Sequence, residues 1–444
     1  MRGAIAAGHP LTAEAGARVL VEGGNAVDAC IAAAFVGAVA EGPLTGPAGG
    51  AFLLLAEPGR EPLVLDCFFA CPSEPLGPME EALVDFADSG TQTFYVGEGS
   101  VAVPGLVAGL WEAHRRFGSR PWAALVQPAV VLAGHGVEVD PPRAFLHGIL
   151  AGILLRSEEG RRIFGDVERV STEDLAPTLE RIRDSGAAGV VDLVPELADD
   201  LAAYQVTERA SIARDVGGFR VLTTPPPSLG GEIVLEILDG LASLEPWSLD
   251  AEAEVIGDAY ARVLSGRPTG TTHISVVDGD GRAAALSSTL GSGSGVFRGG
   301  TQLNNMLGEL DVIGRVERAP GDRLPSMMAP TLVLEGDTPR LVLGSAGSVR
   351  LAGAIAQVTR RVLAGVPVDR AIDAPRLHVE GRTLHLEGGW PDGSIESLSP
   401  AWSVVRWDAL NLYFGGVQAV ERTADGALRA AGDPRRGGSG LVVT

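Results

Sequence analysis

Thr271-Thr-His-Ile-Ser-Val-Val-Asp278, Gly279-Asp-Gly281 and Ala283-Ala-Ala-Leu-Ser-Ser-Thr289 are the stretch on which the fold turns. The first block alternates and is β-branched, Asp278-Gly-Asp-Gly281 supplies a turn, and the second block returns as a strand. The spacing predicts a β-hairpin with Thr271 at its head. A glycine-rich loop, Leu290-Gly-Ser-Gly-Ser-Gly295, and then Gln302-Leu-Asn-Asn305 follow. Spacing alone leaves three readings. One is the polar start of an edge hairpin. The second is a phosphate-cradling loop, although GxGxxG spacing and a following Lys-Ser/Thr are both missing. The third makes Thr271 a nucleophile.

A threonine hydroxyl attacks poorly unless something takes its proton. Cleavage of the bond before the threonine would supply a base, the new α-amine. That amine titrates near ~7.7–8.0 when unperturbed, so a useful fraction is free at neutral pH. The device needs a threonine heading a strand deep inside the chain, with a loop before it. Ser265-Gly-Arg-Pro-Thr-Gly270 reads as such a loop.

Working outward, Thr12 reads as the N-cap of a helix to Val21, and Asn25 as the cap of a small-residue apolar helix from Ala26 to about Val39. Ala51–Ala56 and Leu63–Leu65 read as buried strands. From Gly105 to about Leu201 the pattern is mainly helical. After residue 270 strand hairpins dominate: Thr331–Leu334 with Leu341–Leu343, then a helix at Leu351–Leu363, and later strands at Arg376–Val379, Thr383–Leu386, Val404–Trp407 and Gly416–Arg422. Hairpins flanked by helices predict a layered α/β sandwich.

The chain has 444 residues and a net charge of −21, and its 35 basic residues are all arginine. Schiff-base lysine, lysine-held pyridoxal phosphate and a phosphate-loop lysine are therefore excluded. The acidic balance argues against a nucleic-acid partner. Residues 1–270 carry 18 Arg against 38 acidic residues, and residues 271–444 carry 17 against 18. Cys30, Cys67 and Cys71 form no disulfide or zinc pattern, His378 and His385 lie on strands without a third ligand at metal spacing, and His9 and His273 read as packed or capping residues. No signal peptide or membrane span is read, so the expectation is a cytoplasmic protein without a membrane partner.

Several segments together resemble the γ-glutamyltranspeptidase family of N-terminal nucleophile hydrolases. They are Ala7-Gly-His-Pro-Leu-Thr12, Gly23-Gly-Asn-Ala-Val-Asp28, Leu303-Asn-Asn305, Ser326-Met-Met-Ala-Pro-Thr331, Gly344-Ser-Ala-Gly-Ser348, Ala374-Pro-Arg-Leu-His378 and Asp433-Pro-Arg-Arg436, in family order. The resemblance implies a four-layer αββα sandwich formed as one domain by two autoproteolytic chains. The cut would fall between Gly270 and Thr271, giving a large chain 1–270 and a small chain 271–444 that stay together as a heterodimer. Thr271 would be the nucleophile and Thr289 its hydroxyl partner. The backbone N–H groups of Gly347 and Ser348 would form the oxyanion hole, next to a predicted helix start that favours an anion. The substrate would be a small amide, with water or an amine as acceptor and no cofactor or metal.

The departures from the family lie at the implied substrate-binding positions. Asp66-Cys-Phe-Phe-Ala-Cys-Pro72 puts Phe68 where relatives that take γ-glutamyl groups carry an arginine for the substrate carboxylate. A phenyl ring cannot make that charge-assisted fork. Gly291 replaces an asparagine at the same substrate end, Pro325-Ser326 replaces a Ser-Ser pair, and Glu309 stands for an aspartate that binds the substrate ammonium. The expectation is a Thr-dependent amidohydrolase whose acyl group is not a simple γ-glutamyl. The alternative is a processing-deficient homologue with a binding or regulatory role.

Overall fold

The computed structural model describes residues 2–85, 91–244, 246–263, 271–314 and 316–444. Gly270, the expected residue before the cut, lies outside them.

The predicted hairpin is present as Thr272–Asp278 and Ala283–Thr289, and it sits in the middle of a seven-stranded antiparallel sheet. In spatial order this sheet runs Ser439–Val443, Gly3–Ala7, Thr272–Asp278, Ala283–Thr289, Gly50–Ala56, Leu63–Cys67, Thr207–Ala210. A six-stranded antiparallel sheet faces it: Leu428–Gly432, Gly416–Arg422, Thr338–Ala346, Thr331–Glu335, Phe219–Thr223, Ile212–Val216. Strands from both sides of residue 270 share the first sheet, and Gly3–Ala7 lies between two from beyond it.

Side-chain alternation along the strands builds three apolar layers. Ile274, Val276, Ala284 and Leu286 pack against helices Pro10–Val21 and Ala26–Ala40. Val277, Ala283 and Ala285 point the other way, into a core shared with Leu222, Leu332, Val342 and Val420 of the second sheet. Val221, Val333, Leu341 and Leu343 pack outward on helices Gly230–Ala242, Leu249–Val263 and Leu351–Leu363. The result is the expected αββα sandwich. Every residue of Ala26–Ala40 is buried, which its small side chains permit.

Some details correct the sequence reading. Thr12 is not the N-cap of the first helix. His9 is, its Nδ1 accepting from the Leu11 N–H at 2.9 Å, with Pro10 in the first turn. Thr12 instead donates to Glu41 Oε1 at 2.9 Å. Asn25 caps the second helix as expected, with Asp28 completing a capping box. Asp278 is a turn residue: Oδ1 accepts from the N–H groups of Asp280 and Arg282, while Oδ2 accepts from the Ala26 N–H at 3.0 Å.

Two of the sequence motifs meet in an ion network. Arg376 Nη2 lies 2.6 Å from Asp433 Oδ2, and both side chains are fully buried. Arg435 bridges Asp433 and Glu387, and Asp433 also accepts from the Val417 N–H. Burial alone would raise the Asp433 pKa, but Arg376 and Arg435 outweigh it and hold the carboxyl below its ordinary 3.8. A carboxyl depressed in the folded state stabilises at neutral pH, and that contribution is lost as the pH falls below 3.8 toward the folded value. Removing one partner of a buried pair strands the other charge. Asp433→Ala is expected to lower the unfolding free energy by about 3–5 kcal/mol, read by urea denaturation at pH 7. An unchanged midpoint would refute this role.

Candidate active site

The hairpin register fixes the head of the central strand. Thr272 lies opposite Ser288 in the last pair of the register; Thr271 immediately precedes the one strand and Thr289 ends the other. Alternation puts Thr271 on the same face as Val277, toward the second sheet, and it is only 2% exposed. Thr272 points the other way and donates to Glu41 Oε2 at 2.6 Å. Glu41 ends the Ala26–Ala40 helix and also receives the Thr12 hydroxyl. Burial raises its pKa, against the pull of Arg143 and the two hydroxyls.

His273 is structural. Its Nδ1 and Nε2 lie 2.8 Å and 2.9 Å from the hydroxyls of Ser287 and Ser275, and burial lowers its pKa to about 3, so the ring is neutral. Gly344 of the second sheet leaves room for it. A Cβ there would come within 2.3 Å of Nδ1.

Gly344 begins the segment expected to hold the oxyanion hole. Strand Thr338–Ala346 ends two residues on, and Gly347 follows it with a φ of +125°; a Cβ there would stand 2.7 Å from Gly415 Cα, a place only glycine fills. A turn of 3₁₀ helix, Ser348–Arg350, leads into helix Leu351–Leu363. Ala346 and Thr272 border one cavity, together with Gly8, Glu41, Leu412 and Arg436. Gly347 and Thr271 therefore lie at the same end of the two sheets.

The loop after Thr289 is tightly tied. Gly291 N–H donates to Thr289 Oγ1 at 2.8 Å, Ser292 N–H to Glu309 Oε1 at 2.9 Å and Gly293 N–H to Asn305 Oδ1 at 3.1 Å. These amides are engaged within the protein, which removes the basis of the phosphate-loop reading. Asn305 also donates to the Ser292 hydroxyl at 2.6 Å. Asn304 clamps the backbone of Ala48 and Ala102.

The four residues expected at the substrate are all buried. Gly291 has φ +71°, and a Cβ would meet Asn305 Oδ1 at 2.2 Å. Glu309 commits Oε1 to both the N–H and the hydroxyl of Ser292. Phe68 is packed in the core between the sheets, 1% exposed, its ring stacked on Phe52 and edge-on to Phe69. Its carbonyl accepts from Tyr204 Oη at 2.6 Å and Arg323 Nη1 at 3.2 Å. Ser326 is fastened by backbone bonds to Pro227 and Leu229, and its Oγ accepts from the Met328 N–H. Sequence reading missed Tyr204, Arg209 and Arg323, which pin the Asp66–Phe68 segment. No nearby motif marks them. Among the described residues no three His, Cys, Asp or Glu side chains gather as a metal site, and no helix is long and apolar enough to cross a membrane.

Comparison with known proteins gives a consistent picture. The profile of the family described as Gamma-glutamyltranspeptidase matches residues 12–192 and 242–443. A glutathione hydrolase proenzyme of Pseudomonas aeruginosa is 30% identical, over 99% of this chain and 94% of that protein. The Acylase ACY 1 proenzyme of Pseudomonas sp. (strain SE83) is 28% identical, over 100% of this chain and 94% of that protein. The crystal structure of cephalosporin acylase from Bacillus halodurans superposes with a TM-score of 0.84 at 23% identity, covering 99% of this chain and 95% of that one, a likeness of fold.

The crowding at Gly291 makes a testable point. Gly291→Asn, which installs the asparagine usual in γ-glutamyl-accepting relatives, is expected to destabilise the protein by ~1–3 kcal/mol through overpacking against Asn305 and Glu309. Thermal denaturation of the variant checks this. A melting temperature equal to the parent's would contradict it.

Proposed function

This chain belongs to the gamma-glutamyltranspeptidase family of N-terminal nucleophile enzymes, and on that footing we propose that it is a self-cleaving, threonine-dependent amidohydrolase with an acyl group other than γ-glutamyl. Thr271 Oγ attacks the Gly270 carbonyl, and the peptide C–N bond breaks as the ester C–O bond forms. Water then hydrolyses the ester. The products are a carboxylate on Gly270, a free α-amine and hydroxyl on Thr271, and two chains, 1–270 and 271–444, that remain paired.

In the mature enzyme the α-amine takes the hydroxyl proton as Thr271 Oγ attacks the substrate carbonyl. The N–H groups of Gly347 and Ser348 receive the developing oxyanion, a contribution worth ~10²–10³ in turnover per donor. The amine passes its proton to the leaving nitrogen. The acyl-Thr271 ester is then resolved by water, with an amine as the alternative acceptor. Thr289, which ends the returning strand, hydrogen-bonds the nucleophile. No step requires a cofactor.

The observation that supports this reading is the hairpin register, whose last pair, Thr272 with Ser288, is followed by Thr271 on one strand and Thr289 on the other, at the sheet end where Ala346 leads into Gly347. The acyl preference rests on the lost carboxylate fork at Phe68, the missing side chain at Gly291 and the engagement of Glu309 by Ser292. That one relative carries the name acylase is in keeping with it.

Purified protein is expected to run as bands of roughly 28 and 18 kDa, the 45.8 kDa mass divided in proportion to 270 and 174 residues. The small band should begin Thr-Thr-His-Ile, and Thr271→Ala should stay intact. On a panel of acyl p-nitroanilides, γ-glutamyl p-nitroanilide should fall at least ~100-fold in kcat/KM below the best anilide without an α-amino acid head, about two tenfold steps of lost recognition. A single band unaffected by Thr271→Ala would overturn the mechanism and leave the binding or regulatory alternative. Efficient γ-glutamyl turnover would overturn the acyl preference.

A further inference from the structure

We propose that Tyr260 is a positioning residue for the oxyanion segment Gly347-Ser348, so that the hole is completed from both sides of the expected cut. The inference rests on the oxyanion-hole assignment above.

Tyr260 lies on helix Leu249–Val263, and its hydroxyl reaches the chain just past Ser348. It donates to the Val349 carbonyl at 2.6 Å and accepts from the Gly353 N–H at 2.9 Å. Tyr260 is 6% exposed, and His378 holds its ring edge-on, with centroids 5.2 Å apart. Burial raises the phenol's pKa, so the hydroxyl keeps the proton it donates. Helix Leu351–Leu363 receives no side-chain cap from its own N-cap residue, Arg350. A helix start leaves several N–H groups unpaired, and here the phenol takes one of them from another element. A Cβ on Gly353 would stand 3.3 Å from that hydroxyl, so glycine allows the approach.

One hydroxyl thus ties together the strand-to-helix turn that presents the Gly347 and Ser348 N–H groups. Without it the Val349 carbonyl and the Gly353 N–H both lose a buried partner, and the turn is free to rotate. An oxyanion donor works only at hydrogen-bond distance from where the charge develops, so a small rotation lowers kcat and leaves substrate binding in place.

The test is Tyr260→Phe, which keeps the ring. Self-cleavage is followed by gel after cell-free synthesis. Turnover is followed on the fastest anilide of the panel, and the folded fraction is titrated with n-butylboronic acid. Thr271 Oγ adds to boron, its proton passes to the α-amine, and the tetrahedral boronate carries its negative charge into the hole. Both kcat and boronate affinity are expected to fall ~10-fold, since small misplacement of catalytic groups carries penalties of this order, with KM within about 2-fold of wild type. Wild-type kcat and boronate affinity in the folded fraction, whatever its melting temperature, would overturn the proposal and leave Tyr260 a packing residue. Thr271→Ala runs alongside. If it is inert while Tyr260→Phe behaves as wild type, only the Tyr260 inference falls. If it still self-cleaves, the oxyanion-hole assignment falls with it.

Discussion

A strand has only two faces, and at Thr271-Thr272 both are spoken for. Thr272 is held outward by Glu41, and strand alternation thereby turns Thr271, which is buried, to the inward side. A slip of one residue would exchange them. The anchor is crowded on every side. Thr12 donates to the same carboxylate, and Gly8 carries no side chain because Glu41 Oε2 and Thr272 Oγ1 occupy that space, at 2.2 Å and 2.7 Å from a Cβ. Arg143 grips the Gly8 carbonyl from beyond. The first helix, the second helix and the central hairpin are thus registered against one another by a single buried acid.

The loop beyond Thr289 follows a related logic. Its glycines give turns at positive φ, and its amides are satisfied by Thr289, Glu309 and Asn305. A polar side chain that holds a loop in this way has less to offer a ligand. Glu309 illustrates the trade: one oxygen accepts twice from Ser292. At Phe68 the exchange is complete, because the position contributes a ring to the inter-sheet core and only its backbone remains polar, the N–H donating to Asp66 Oδ1 and the carbonyl accepting from Tyr204.

Local pattern made part of this legible. The hairpin was readable because alternation and the Asp-Gly-Asp-Gly turn agree, and the Leu351–Leu363 helix because its apolar period is clear. Strand Gly3–Ala7 escaped notice. It is short and made of glycine, alanine and one isoleucine, and it is a strand because Thr272–Asp278 and Ser439–Val443 pair with it on either side. The His9 cap was signalled by Pro10, which suits the first helical turn, but Thr12 competed for the same role. The engagement of Glu309, the tie at the Phe68 carbonyl and the reach of Tyr260 depend on partners 17, 136 and 89 residues away, for which no local pattern exists.

Strand Gly3–Ala7 is flanked on both edges by strands from beyond residue 270. An uncut chain can assemble that arrangement in a first-order process, because one backbone keeps all the pieces within reach. Two severed chains would have to find each other first, so their recovery after unfolding would be second order and would depend on dilution. The scission proposed at this point would convert a unimolecular folding problem into a bimolecular one. The finished particle's persistence would then rest on how slowly it opens rather than on how readily it re-forms.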